Sequence, residues 1–346
     1  MKMTFRWYGL DDSITLNEIR QIPGMTGVVT AVYDTPVGSV WSNESLSKIK
    51  KACDDAGLET EVIESVPVHE DIKLGKSTRD RYIEAYCENI RRLQTIGVKC
   101  ICYNFMPVFD WLRTNLHTPA PDGSNSLSYN HEEIMSLDPK HLSLPGWDES
   151  YTPEELQGLL KSYENMTHEQ LFDNLVYFLE AVIPVCKETG ISMAIHPDDP
   201  PWDCFGLPRI ISCAEDYDRL FRAVPDNENG ITFCTGSLGA GRQNDLIKMA
   251  YEYSQMGKIH FAHIRNIKYS NELDFREVGH KTECGSLDIY GIVKALVKGG
   301  FNEYVRPDHG RNIWGESGKP GYGLFDRALG ACYLNGLFEA IEKGEM

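Results

Sequence analysis

The chain has 346 residues, more than one small core needs and within the range of a single α/β barrel with insertions. Its 42% hydrophobic and 25% charged residues fit a soluble globular enzyme, and no run reaches the ~18 uninterrupted apolar residues of a membrane span. A formal charge of −17 argues against a nucleic-acid partner, because binding to a phosphate backbone rests on clustered Lys and Arg; an anionic ligand must be met by a few local arginines. The start, Met1 to Tyr8, carries a lone Lys and no apolar h-region, so no signal peptide is expected. Ten cysteines follow no regular framework, and Cys100 and Cys102 share a strand-like run where they cannot easily bridge, which fits reduced thiols in the cytoplasm.

Taken in chain order, eight apolar β-type runs are expected: Thr4 to Tyr8, Gly27 to Tyr33, Glu59 to Ile63, Lys99 to Tyr103, Ser192 to His196, Gly230 to Cys234, Ile259 to His263, and Glu303 to Pro307. Helical patterns lie between them at Leu46 to Ala56, Arg79 to Ile96, Thr167 to Thr189, Asn244 to Met256, Asp288 to Lys298 and Leu324 to Ile341. Gly57, Gly97, Gly190, Gly257 and Gly299 stand where helices would stop. Alternation with short connections predicts parallel strands with right-handed crossovers, and eight strands predict a (β/α)8 TIM barrel in a single catalytic domain, 1–346.

The exception is 104–166 after the fourth strand, far longer than an ordinary βα loop. It holds Pro107, Pro119, Pro121, Pro139, Pro145 and Pro153, with Phe109, Trp111, Tyr129 and Trp147 among them. That aromatic content predicts a compact excursion, a lid over the barrel mouth or a contact with a partner subunit.

The last strand changes chemistry abruptly, from Tyr304-Val305 to Arg306-Pro307-Asp308-His309-Gly310-Arg311. Pro307 cannot donate to a ladder, so Asp308 and His309 emerge at the strand's C-terminal end, where parallel α/β folds keep their chemistry. A solvated strand-end turn would look the same in isolation. Three earlier strands, however, end at His196, Cys234 and His263. A lone strand-end His is usually a hydrogen-bonded structural residue and a lone buried Cys a small hydrophobe. Neighbouring strands lie about 4.8 Å apart, so four such residues on one rim can converge on one cation. Parity agrees: Ala194 with His196, Thr232 with Cys234, Phe261 with His263 and Arg265, and Arg306 with Asp308 each share an inward face. Two imidazoles, a thiolate and a carboxylate suit zinc, iron(II) or manganese(II), and the residues alone leave that choice open.

Arg265 and Arg306, with Arg6 on the first strand as a third, are candidates to hold a substrate's carboxylate or hydroxyls; ion pairs with Asp198 or Asp199 are their bland alternative. Asn266 and Ser237 would bind hydroxyls or cap the following helix. Gly236, Gly239 and Gly241 lack the spacing of a dinucleotide fingerprint.

These strings resemble the mannonate dehydratase family along the whole chain. The matching stretches are Arg6-Trp7-Tyr8-Gly9, Tyr103 through Trp111, His196-Pro197-Asp198-Asp199-Pro200-Pro201, Phe233 through Ser237, His263-Ile264-Arg265-Asn266, Arg306 through Arg311, and Pro320-Gly321-Tyr322-Gly323. The resemblance implies a manganese-dependent, or iron-dependent, barrel lyase related in fold to sugar isomerases and assembled as a homodimer. It would dehydrate D-mannonate to 2-dehydro-3-deoxy-D-gluconate in hexuronate breakdown. It implies His196, Cys234, His263 and Asp308 as metal ligands and His309 with Tyr322 as the acid/base pair. The rival expectations are a sugar isomerase on the same barrel, a closed structural zinc site and, last, phosphodiester repair.

Overall fold

In a computed structural model describing residues 1–137 and 152–344, the strands in chain order are β1 (Lys2–Arg6), β2 (Met25–Thr30), β3 (Glu59–Glu64), β4 (Cys100–Tyr103), β5 (Asn115–Pro119), β6 (Asn125–Tyr129), β7 (Ser192–Ile195), β8 (Asn229–Cys234), β9 (Ile259–Ile264), β10 (Asn266–Tyr269), β11 (Phe275–Val278) and β12 (Tyr304–Pro307). Eight of them close a parallel barrel in the order β1-β12-β9-β8-β7-β4-β3-β2. They are the eight runs expected from sequence, with ends displaced by a few residues. Each is a short, nearly continuous apolar run because both faces are covered, one by helices and one by the barrel interior. Alternate residues fill that interior: Val29, Val62, Cys100, Cys102, Ala194, Phe261 and Tyr304 pack as their own cluster.

The outer layer is amphipathic helix. Helix His168–Thr189 buries Leu171, Leu175, Phe178, Leu179, Val182 and Cys186, a stripe at helical spacing, and opens with a capping box between Thr167 and Gln170. It stops at Gly190, whose φ of 68° lies in the left-handed region. Gly57 ends Asn43–Ala56 in the same way. Gly299 does not: it is still right-handed, and Gly300 at φ 88° makes the turn. Helix Ala214–Ala223 was not expected from sequence.

Two excursions rise from the barrel's C-terminal end. The one after β4 forms the β5–β6 hairpin, and the one after β9 forms the β10–β11 hairpin, which sequence reading did not anticipate. They join edge to edge in a four-stranded antiparallel sheet, β10-β11-β6-β5, through Tyr129↔Phe275 and Ser128↔Arg276, with the two rings stacked 5.5 Å apart. Of the first excursion, Pro139, Pro145 and Trp147 lie outside the described residues. All ten cysteines are unpaired, and among the described residues no helix is long and apolar enough to cross a membrane.

Two glycines separate conformational from steric cost. A Cβ on Gly190 meets nothing within 4 Å, so Gly190→Ala should lose only the left-handed penalty, about 1 kcal/mol. A Cβ on Gly230 in β8 would stand 2.2 Å from the His260 ring and 2.5 Å from the Lys258 carbonyl oxygen, so Gly230→Ala should cost more, about 2–3 kcal/mol. Urea unfolding midpoints of the two variants check the order.

Candidate active site

The rim of the barrel is built by register. Cys234 and Arg306 flank His263 as its partners on β8 and β12, which sets three inward side chains side by side. His196 leaves the end of β7 and Asp308 the end of β12. Ligand atoms of His196, Cys234 and His263 all lie within 4.8 Å of one another, and Asp308 Oδ2 is 3.5 Å from Cys234 Sγ. His196 Nδ1 donates to the Pro197 carbonyl at 2.7 Å, which leaves Nε2 with a free lone pair, and burial lowers the pKa of that imidazole. His263 Nε2 is buried without a hydrogen-bond partner, and Ser237 Oγ donates to Cys234 Sγ at 3.2 Å. The two imidazoles and the sulfur stand close enough to share one divalent cation, and the Asp308 carboxylate lies beside that sulfur, outside the three-residue group.

Around this set runs an alternating chain of buried charge. Arg113 pairs with Glu277 and Asp199, Arg265 with Asp199 and Asp308, and Arg306 with Asp308 and Glu64, at separations of 2.7–3.1 Å. Burial alone would raise the carboxyls, but the arginines outweigh it. Arg306 holds Glu64 and Asp308 well below the usual carboxylate range, and Arg113 with Arg265 does the same for Asp199.

Beside the chain, His309 Nε2 is 2.9 Å from the Tyr322 hydroxyl. Burial raises the Tyr322 pKa against the opposing pull of Arg306, so the phenol keeps its proton. Both residues face a cavity of about 270 Å³ whose walls include His196, Asp199, Arg265, Arg306, Asp308, Glu64, Arg6, Tyr8 and Trp111. A larger hollow of about 550 Å³ opens at the opposite end of the barrel, between Lys99, Glu228, His260 and Glu303.

The substrate-binding candidates separate on inspection. Arg306 leaves Nε and Nη1 buried and without partners while its Nη2 is paired. Arg265 lines the cavity, yet its terminal nitrogens are taken by Asp199, Asp308 and Ser237, the ion-paired alternative. Arg6 donates to Tyr33 Oη at 2.8 Å and lies 4.6 Å from the Tyr8 ring centre. Ser237 and Asn266 are not on the cavity wall. Ser237 serves Cys234, and the Asn266 carboxamide pins the segment after β11 through the Lys281 carbonyl and the Leu287 N–H.

Sequence reasoning missed Glu64, Arg113 and Glu277. Glu64 was findable, since it follows the interior Val62 by two on β3. Glu277 carried no such signal: it sits on β11, an unanticipated strand, and its Oε1 lies 2.7 Å from His309 Nδ1.

A family model described as D-mannonate dehydratase (UxuA) matches residues 1–346. The mannonate dehydratases of Thermotoga petrophila and Thermotoga maritima are each 54% identical over 355 residues, spanning 99% of this chain and 98% of those proteins. The chain belongs to the D-mannonate dehydratase family. A crystal structure of mannonate dehydratase from Streptococcus suis serotype 2 superposes with a TM-score of 0.93 at 46% identity, covering 100% of this chain and 96% of that one. L-ribulose 3-epimerase, at 12% identity and TM-score 0.56, shares the fold. Membership of the mannonate dehydratases makes the protein a hydro-lyase.

Gly236 explains how Arg265 fits beneath the rim. A Cβ there would fall 1.8 Å from Arg265 Nε and 2.6 Å from its Cδ, so Gly236→Ala should expel the guanidinium and break buried pairs. The expected loss is about 3 kcal/mol, read from urea denaturation.

Proposed function

We propose that the chain removes water from D-mannonate to give 2-dehydro-3-deoxy-D-gluconate, with a divalent cation, manganese or alternatively iron(II), held by His196, Cys234, His263 and Asp308. One observation carries the reading: the Tyr322 hydroxyl and His309 Nε2, 2.9 Å apart, face the same cavity as the neighbouring cation-ligand candidates and the unpartnered Nε and Nη1 of Arg306.

The reaction needs a base for the C2 proton, an acid for the C3 hydroxyl and positive charge near the carboxylate. When bound, the cation supplies positive charge against the carboxylate oxygens as C2 loses its proton. His309 Nε2, the acceptor of the resting hydrogen bond, takes that proton. The C2–H electron pair becomes the C2=C3 bond as the C3–O bond breaks, and Tyr322 gives its proton to the departing hydroxyl, which leaves as water. The resulting enol takes a proton at C3 and releases the one on its C2 hydroxyl, becoming the 2-keto acid. Arg306 Nε and Nη1 fit the substrate's carboxylate or hydroxyl oxygens, while Arg265 and Arg6 hold the charge and ring framework around them. The excursion within 104–166 acts as a lid, because Trp111 reaches the cavity from it with its ring 6.5 Å from that of His309. A homodimer in the cytoplasm, acting in hexuronate breakdown, completes the reading.

Chelator treatment should abolish keto-acid release from D-mannonate, and manganese or iron(II) added singly should restore it better than zinc or magnesium. Ketose formation from neutral aldoses in place of keto acid would overturn the assignment in favour of an isomerase.

Tyr322→Phe should lower kcat by about 100-fold or more with cation content unchanged. Turnover within a few-fold of the parent would remove Tyr322 from the chemistry.

A further inference from the structure

Glu277 is almost completely withdrawn from water, with 1% of its surface exposed, and reaches the site from β11. Its Oε1 accepts from Arg113 Nη2 at 2.8 Å and lies 2.7 Å from His309 Nδ1. Arg265 Nη1 stands 2.8 Å from that same ring nitrogen. One nitrogen cannot donate to Glu277 and accept from Arg265 at once. Two facts decide which contact is a hydrogen bond. Arg265 Nη1 has another acceptor in Asp308 Oδ2 at 3.1 Å, whereas an imidazole N–H facing a carboxylate gains a charge-assisted bond. The carboxylate is charged, because His309, Arg265 and Arg113 together overcome the burial that would raise it.

Holding Arg113 does not require Glu277. Asp199 already takes Arg113 in a two-pronged pair, Nη1 to Oδ1 at 2.8 Å and Nη2 to Oδ2 at 3.0 Å. What Glu277 adds is a fixed partner for one side of the His309 ring.

We propose that Glu277 is a positioning residue that locks His309 in the tautomer with its proton on Nδ1, presenting a bare Nε2 to Tyr322 and to the substrate's C2 proton. The inference rests on the dehydratase reading for its catalytic meaning, while the tautomer itself is a property of the folded chain. Arg113 acts one step further out: it anchors Glu277 from the excursion after β4, so the two hairpins jointly set the ring.

The test begins with the parent protein, full length, labelled with 15N-histidine and saturated with diamagnetic Zn2+ or Mg2+. The His309 signals are assigned by their loss in His309→Gln. Long-range 1H–15N spectra should show a protonated Nδ1 and an unprotonated Nε2; the opposite tautomer overturns the proposal without any variant of Glu277. In Glu277→Gln the Nδ1–H population should fall. Its kcat on D-mannonate should drop at least about 100-fold, with KM, cation content and melting temperature little changed. Glu277→Asp, which keeps the charge, should recover part of the lost turnover. A Glu277→Gln kcat within about threefold of the parent, or a loss that follows lost cation or lost folding in both variants, would make Glu277 structural. If the parent forms no keto acid from mannonate, the dehydratase reading fails, and the parent's spectrum still decides the tautomer.

Discussion

Three guanidinium groups and four carboxylates are taken out of water, or nearly so, at one end of this barrel. Each such transfer costs several kcal/mol unless an opposite charge replaces the lost hydration. The molecule meets that constraint by alternation: Glu277, Arg113, Asp199, Arg265, Asp308, Arg306 and Glu64 follow one another so that every charge inside the chain has opposite neighbours. The arrangement fixes more than stability. Its members come from β3, β11 and β12, the residues just after β9 and β12, the turn after β7 and the excursion after β4, so satisfying the charges aligns all these elements. Its central carboxylate, Asp308, is also a candidate cation ligand, and the next residue is His309. The candidate cation ligand and the imidazole beside it are thereby positioned by the same pairings.

The barrel supplies the frame and the rim supplies the chemistry. L-ribulose 3-epimerase shares the frame at 12% identity, which is fold-level kinship and nothing more. In this chain the candidate site lies in the last inward position of each of several strands and in the residue or two beyond it. The interior beneath is apolar or weakly polar, with Phe261, Ala194 and Cys102 among its members. That floor keeps water from the underside of the ligands, where it would weaken their electrostatics.

Much of this was legible before any coordinates. Parallel strands buried on both faces read as continuous apolar runs, so all eight barrel strands stood out, and inward parity placed His196, Cys234, His263 and Asp308 on one rim. Two kinds of feature did not. Helix Ala214–Ala223 is short and polar on one side, and its sequence, AEDYDRLFRA, follows a Pro-rich turn that reads as loop. The β10 and β11 strands, NIKY and FREV, are four residues each and gain their identity only from pairing with one another and with β6, far away in sequence. Glu277 was invisible for that reason: an acidic residue between Arg and Val in an apparent loop looks solvated until the strand bearing it is folded over the barrel. Ser237 and Asn266 show the converse case. Their proximity to ligands in sequence suggested contact with substrate, whereas their side chains are spent on Cys234 Sγ and on the segment after β11.

The bond between Arg113 and Glu277 closes a loop of 164 positions along the chain. Barrel closure spans still more of the chain, from Lys2 on β1 to Tyr304 on β12, so both contacts wait until nearer pairings have met much of the entropy of closing the intervening chain. The two hairpins form a sheet of their own, so a chain in which only their docking is lost would keep the eight barrel strands. Such a chain would look nearly native in far-ultraviolet circular dichroism while Arg113 and Glu277 stood away from the rim, so the candidate site is completed by docking and not by secondary structure.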